Sequence, residues 1–185
     1  MSSYPKLNFP AVKLRASRRG ERTLVWDDLR AMWLVLTPEE WVRRHLIAYL
    51  ETGCGAARRR IVQEYPVAMN GAPQRADVVV VDDDAQPLVL CECKAPEIPI
   101  DRHVLAQAVR YNSVLGARYL VLTNGRSHYC YELVEGEYRQ CDRFPSIGSN
   151  SALSAGSVSV AMLMSDGVMK VRKKTSRKHS AIETA

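Results

Sequence analysis

Two apolar runs separated by six mostly polar residues constrain this chain more than any other feature. Ala76–Val81 (ADVVVV) and Leu88–Lys94 (LVLCECK) flank the loop Asp82-Asp83-Asp84-Ala85-Gln86-Pro87. β-Branched runs of this length joined by a turn-rich loop read as a hairpin. With a six-residue loop, Val81 faces Leu88 and opposed residues keep an index sum of 169. Asp77 then stands opposite Glu92, with Cβ atoms about 5 Å apart on one face. Lys94 is two residues beyond Glu92 and shares that face. Three ionisable groups therefore converge on an otherwise apolar ribbon. Glu92 weighs most, because a carboxylate inside LVLCECKAP is costly to bury without a reason. Two carboxylates this close repel unless a cation lies between them. Hard oxygen ligands suit Mg²⁺ or Mn²⁺, which could polarise a phosphodiester and activate a water, with Lys94 offsetting charge. The same spacing also fits a plain ion pair at a sheet end, so the chemistry is not settled by spacing alone.

The flanking segments give this hairpin a setting. Thr37-Pro38-Glu39-Glu40 has the pattern of a capping box, and Val42, Leu46, Tyr49 and Leu50 follow at helical spacing until Gly53 and Gly55. Residues 60–68 read as a strand and Asn70-Gly71 as a turn. Asp101 caps a helix to about Gly116, with a stripe of Val104, Ala108, Tyr111, Asn112 and Leu115. Residues 119–123 form a strand, and 128–134 with 138–144 a further hairpin around Glu135-Gly136. A strand-helix-strand succession implies a right-handed crossover, so 88–94 and 119–123 should be parallel, whereas the first three strands should be antiparallel. The fold class is α/β (α+β), with an αβββαβ core and a mixed central sheet flanked by helices. Residues 23–36 are apolar and hard to type, and an edge strand is expected near Val12–Ala16.

Charge contributes less than the net +6 suggests. Residues 148–185 hold six Lys/Arg and two Asp/Glu, leaving 20 basic and 18 acidic groups before them, a net of +2. Basic runs at Arg15/Arg18/Arg19/Arg22, Arg43/Arg44 and Arg58–Arg60 could contact phosphate or form solvated faces. No apolar stretch is long enough to span a membrane, and the N-terminus lacks the apolar region of a signal peptide, so a cytoplasmic protein is expected. Five cysteines are an odd count, and Cys91 and Cys93 read as buried thiols facing the core. The expected organisation is one domain over 1–147, its core at about 20–135, and a flexible Ser/Gly- then Lys-rich tail over 148–185 without strand logic.

Read in order, LTPEEWVRRHLIAYL at 36–50, RADVVVV at 75–81, LVLCECKAP at 88–96, QAVRY at 107–111 and YLVLTNG at 119–125 resemble the PD-(D/E)xK nuclease superfamily. More narrowly, they resemble the N-terminal nuclease domain of type I restriction enzyme R subunits. The resemblance implies a restriction-endonuclease-like fold, metal binding by Asp77, Glu92 and the backbone carbonyl of Cys93, and Lys94 as the catalytic lysine. It implies that Gln107 and Tyr111, the QxxxY residues, serve the active site and the nucleic acid, with Arg75 beside the motif as a further nucleic-acid contact. Some members add an acidic residue of the first helix, a role open to Glu40, and Glu64 on the preceding strand is a similar candidate. The usual Pro before the first Asp is replaced by Ala76. No G-x-x-x-x-G-K-[ST] occurs, so ATP-driven translocation is not inferred and a stand-alone nuclease-like domain is expected.

The resulting expectation is a Mg²⁺- or Mn²⁺-dependent deoxyribonuclease of restriction-enzyme type acting on DNA, alone, as a homodimer or with a partner protein. Two alternatives stay open. One is a nuclease-fold subunit that binds nucleic acid or a partner without cutting by itself, and the other is an interaction protein with solvated ion pairs.

Overall fold

The β-branched runs find each other in one mixed sheet. The computed structural model describes residues 4–69, 72–148 and 168–170. β1 (Ala16–Arg19), β2 (Arg22–Asp27) and β3 (Met32–Val35) form a small antiparallel sheet of their own. Helix α1 (Pro38–Thr52) follows, then β4 (Ile61–Met69), β5 (Ala72–Val81), β6 (Pro87–Cys93), helix α2 (Arg102–Leu115), β7 (Tyr119–Thr123), β8 (His128–Val134) and β9 (Glu137–Cys141). With β10 (Val168–Lys170), the main sheet has the order β10-β9-β8-β7-β6-β5-β4. The succession α1-β4-β5-β6-α2-β7 is the αβββαβ order that the patterning predicts. β4, β5 and β6 are antiparallel, and the α2 crossover makes β6 and β7 parallel. Among the described residues, no helix is long and apolar enough to cross a membrane.

Each face of the sheet carries one helix and one core. On one face Val42, Leu46 and Leu50 of α1 pack against Val78, Val80, Val89, Cys91, Cys93 and Val121. On the other, Val104, Leu105, Ala108 and Tyr111 of α2 pack against Val79, Leu90, Leu120 and Leu122. Burial on both faces explains the unbroken apolar runs of β5 and β6, since neither face can be polar. Cys91 and Cys93 are buried free thiols on the α1 side, as their spacing predicts.

Helix ends follow local chemistry. The Thr37 side chain accepts from the Glu40 N–H at 3.0 Å, and Pro38 opens the first turn. The capping box, however, is only half made. The Thr37 N–H donates to the Val35 carbonyl, and the Glu40 carboxylate turns to Arg43 and Arg44 instead. Asp101 caps α2 through the N–H groups of His103 and Val104, and Gly116 ends it at φ 70°. Just beyond, buried Asn112 bonds both backbone groups of Ala117 and the Tyr138 hydroxyl, at 2.7–2.8 Å. Asn112→Ala would orphan these groups and should cost about 2–4 kcal/mol in urea unfolding.

Residues 23–36, untyped from the sequence, form the β2–β3 hairpin. Three expectations need correction. The first strand starts at Ala16 rather than ending there. The loop between β5 and β6 is shorter than six residues, because Val81 pairs with Pro87 through an irregularity after Val80. The sum of 169 nonetheless holds at Val78–Cys91, Val79–Leu90 and Val80–Val89. Finally, Val168–Lys170 adds a strand to β9 where the composition suggested none. The remainder of the expected tail beyond Gly148, and the expected Asn70-Gly71 turn, lie outside the described residues.

Candidate active site

The site forms where β4 and β5 change faces. Along β4, Ile61 lies in the α1-side core, but Tyr65, Val67 and Met69, of the same parity, lie on the α2 side. Along β5, Val78 and Val80 face α1, whereas Ala76 faces α2. Pairing stays in step through this reversal, with Gln63 opposite Val78 and Tyr65 opposite Ala76. The switch is therefore a local twist at Glu64 and Asp77 rather than a register slip. Glu64 adopts φ 52°, a left-handed conformation uncommon outside Gly and Asn. One consequence is that Asp77 is not held in a flat ribbon beside Glu92, as the simple hairpin geometry assumes.

Asp77 instead reaches α1. Its Oδ1 accepts from Arg43 Nη2 at 2.9 Å, and its Oδ2 accepts from the Cys93 N–H at 2.7 Å. The backbone bond Cys93 could give to β5 thus goes to a side chain, and the β5–β6 ladder ends at Val78–Cys91. Arg43 is itself buried among four carboxylates. It meets Glu40 and Glu64 at 2.9 Å each and Glu39 at 3.2 Å, besides Asp77. Burial opposes its charge, but the surrounding carboxylates outweigh burial and raise its pKa.

Glu92 occupies the α2 side. Its Oε1 accepts from Lys94 Nζ at 2.8 Å and from Gln107 Nε2 at 3.0 Å. Gln107 also donates to the Tyr111 hydroxyl, which donates to Gln74 Oε1, both at 3.3 Å. So the four-residue spacing of Gln107 and Tyr111 does put both on one face, and Gln107 reaches Glu92 directly. Glu92 is 4% exposed. Burial and then the charge of Asp77 raise its pKa to about 7, against the pull of Lys94. Burial alone would lower the pKa of Lys94, but Glu92 overcomes it and holds the ammonium charged. The influence runs between both carboxylates and the amine, which marks Asp77, Glu92 and Lys94 as one electrostatic cluster.

Both acidic residues in the first turn of α1 pair with Arg43, and Glu39 is the one whose charge couples to Asp77 and Lys94. Burial and Asp77 raise the Glu39 pKa, with Lys94 acting in the opposite direction. Glu40 is 6% exposed and paired with Arg43 at 2.9 Å and Arg44 at 2.7 Å, on the side of a structural ion network with Asp27. Sequence reasoning passed over Glu39 and Arg43. The signal was there, since a Glu and an Arg four apart on one helix form a single face. Glu64 does join the carboxylates around Arg43, while Arg75 projects outward, its side chain 71% exposed, 3.7 Å from Glu64. Among the described residues, no three His, Cys, Asp or Glu side chains are gathered in an arrangement ready to hold a metal ion.

Residues 38–145 match the family model described as type I restriction enzyme R protein N terminus (HSDR_N), more than half of the chain. The chain belongs to this family. The match runs from the start of α1 past β9 and so contains every residue of the cluster, but not the β1–β3 sheet. Among solved structures, a fragment of an HsdR subunit of a type I restriction enzyme from Vibrio vulnificus YJ016 is similar, at 23% identity and a TM-score of 0.48. The similarity covers 60% of this chain and 24% of that one, so this chain spans about a quarter of the relative's length. No curated protein matches it.

Proposed function

We propose that this domain hydrolyses phosphodiester bonds in DNA with the help of Mg²⁺ or Mn²⁺, using Asp77, Glu92 and Lys94. The observation that carries the reading is the desolvated Glu92–Lys94 pair beside Asp77, within a family named for restriction enzymes. The donor chemistry fits a hard divalent cation. Asp77 and Glu92 supply carboxylate oxygens, Cys93 follows Glu92 in sequence and bonds Asp77 through its N–H, and a cation would favour the charged form of Glu92, whose pKa burial and then the Asp77 charge raise. Such an ion, when bound, supplies Lewis acidity and lowers the pKa of a water.

The chain's own residues do the rest. Gln107 holds the Glu92 carboxylate by a hydrogen bond, and Tyr111 holds Gln107 in turn. Lys94, kept charged, can donate to the attacking water or to a phosphoryl oxygen as negative charge builds there. Water attacks phosphorus, the bond to the leaving oxygen breaks, and no covalent link to the protein forms. Glu39, whose side chain is exposed in the first turn of α1 while Glu40 is buried, is the acidic residue of that helix suited to assist, in place of Glu40.

The test is cleavage of supercoiled plasmid, single-stranded DNA and RNA by purified protein in Mg²⁺, Mn²⁺ or EDTA. Cleavage in the metals and none in EDTA is expected, and no cleavage of any substrate would sink the reading. A second reading has its own support. Arg43 already neutralises Asp77, so the domain can be electrostatically satisfied as a binding subunit that cuts only when a partner rearranges it. Calorimetry with Mn²⁺ separates the two, because a permanently closed site would show no uptake.

A further inference from the structure

We propose that the outer face of the β1–β3 sheet is a second nucleic-acid contact, one that grips the phosphate backbone without reading bases. It lies outside the part of the chain that matches the family model. The three basic runs of the sequence have different fates. Arg43 and Arg44 are buried in carboxylate networks. Arg58 and Arg60 lie within 4 Å of Asp28, Glu51 and Asp83. Arg15, Arg19 and Arg22 are exposed and make no ion pair with a described residue.

Register puts these three arginines together. Val25 and Asp27 of β2 are buried on the inner face, so Arg22, Leu24 and Trp26 alternate onto the outer one. Cross-strand partners share a face, which adds Arg19 opposite Arg22, Ser17 opposite Leu24, Val35 opposite Leu24 and Trp33 opposite Trp26. Arg15, opposite Trp26 through their backbone bond, lies over both indoles, 5.1 and 5.2 Å from the ring centroids. No Asp or Glu of the three strands falls on this face, and Glu21 sits in the connecting turn.

Three physical features point to phosphate. Like charges directly opposite each other in a sheet are destabilising, yet Arg19 and Arg22 are paired with no counter-ion between them. A polyanion relieves that repulsion. The two indoles pre-position the Arg15 guanidinium, so less side-chain freedom is lost when it binds. Arg15 also covers the ring faces it contacts, which favours backbone contact over base stacking. Arginine forks match phosphate oxygens two at a time. The sheet is tied to the site-bearing helix through Asp27 and Arg44, 2.7 Å apart, so DNA held here is held relative to Glu39 and Asp77.

The choice of nucleic acid as occupant rests on the nuclease reading, and the test keeps the two apart. Fluorescence anisotropy of a labelled duplex is measured in EDTA across a salt series, with full-length protein and the variant Arg19→Ala/Arg22→Ala, then with Arg15→Ala added. Each lost phosphate contact should flatten the plot of log affinity against log salt by about 0.9, hence by about 2.7 for all three. Arg58→Ala, removing a charge already near carboxylates, should change the slope by less than one contact. Equal slopes for wild type and the double variant, whose substituted side chains are exposed and whose fold is checked by circular dichroism, would overturn the proposal. So would tight binding of vesicles rich in phosphatidylserine with none of duplex, which would assign the face to a membrane surface. Hydrolysis of bis(p-nitrophenyl) phosphate with Mn²⁺ is read in parallel. If it is absent in every protein while the slope still falls, the nuclease reading fails and this surface stands.

Discussion

Lys94→Ala is expected to lower metal-dependent DNA cleavage by roughly a hundredfold or more, the scale of losing one aligned charge at a developing oxyanion. The ammonium is 2.8 Å from Glu92 and is the only cation that touches it among the described residues. Removing it deletes the group that would meet the phosphoryl oxygen and also leaves Glu92 harder to ionise, so both chemistry and cation binding weaken. Lys94→Arg keeps the charge but not its compact shape and should recover only part of the rate. Asp77→Ala should be at least as damaging, since it frees Arg43 and the Cys93 N–H together. Rates from plasmid nicking, with circular dichroism to show an unchanged fold, decide the matter. Equal cutting by Lys94→Ala would remove this cluster from the mechanism.

Arg44→Met should cost about 3–5 kcal/mol of stability, because it strands buried charges on either side. Arg44 lies 2.7 Å from both Asp27 and Glu40 and contacts the Gln63 side chain, which also donates to Asp27. The side chain of Asp27 is fully buried. Burial on its own would raise the Asp27 pKa, but Arg30, Gln63 and Arg44 together hold it down at about 2. A depressed carboxylate contributes stability above its unfolded pKa of about 4 and loses it as pH falls towards about 2, a loss of roughly 2.5 kcal/mol. Urea midpoints measured from pH 5 to pH 2 should show that acid limb in the wild type. In Arg44→Met the limb should move to higher pH. If the variant unfolds at every pH, Asp27→Asn tests the same limb while keeping the shape of the network.

The legible parts of this molecule were those written by local chemistry. Thr37 and Asp101 announce helix starts because only short polar side chains can satisfy the first free N–H groups, and Gly116 announces an end because it tolerates a left-handed turn. The β-branched runs announce buried strands, and the register of Val78 to Val80 against Val89 to Cys91 follows from loop length and alternation. Gln107 and Tyr111 could be put on one helix face by counting. The apolar stretch 23–36 could not be typed, because its two Trp residues and short span suit a hairpin as well as a helix until Trp26 is seen packed on Trp33.

By itself, the amino-acid sequence determined the order of elements from α1 to β9, the antiparallel and parallel pairings among them, and the segment Asp77 to Lys94 as the place to look. These pairings join strands that are consecutive along the chain, the parallel pair across the α2 crossover. Tertiary structure decided which groups meet there. It set the face reversal at Glu64 and Asp77, which turns Asp77 towards Arg43, and it coupled Glu39 electrostatically to Asp77 while Glu40 pairs with Arg43 and Arg44. The physical reason is that a buried carboxylate goes where its partners are. Glu40, one helical position from Glu39 and about 100° around the axis, is drawn to Arg44 and the Asp27 network, whereas Glu39 is left at the cluster. The arginines that pair with these acids lie on α1 itself, but the carboxylates that hold those arginines, Asp27 on β2 and Asp77 on β5, come from strands distant in sequence.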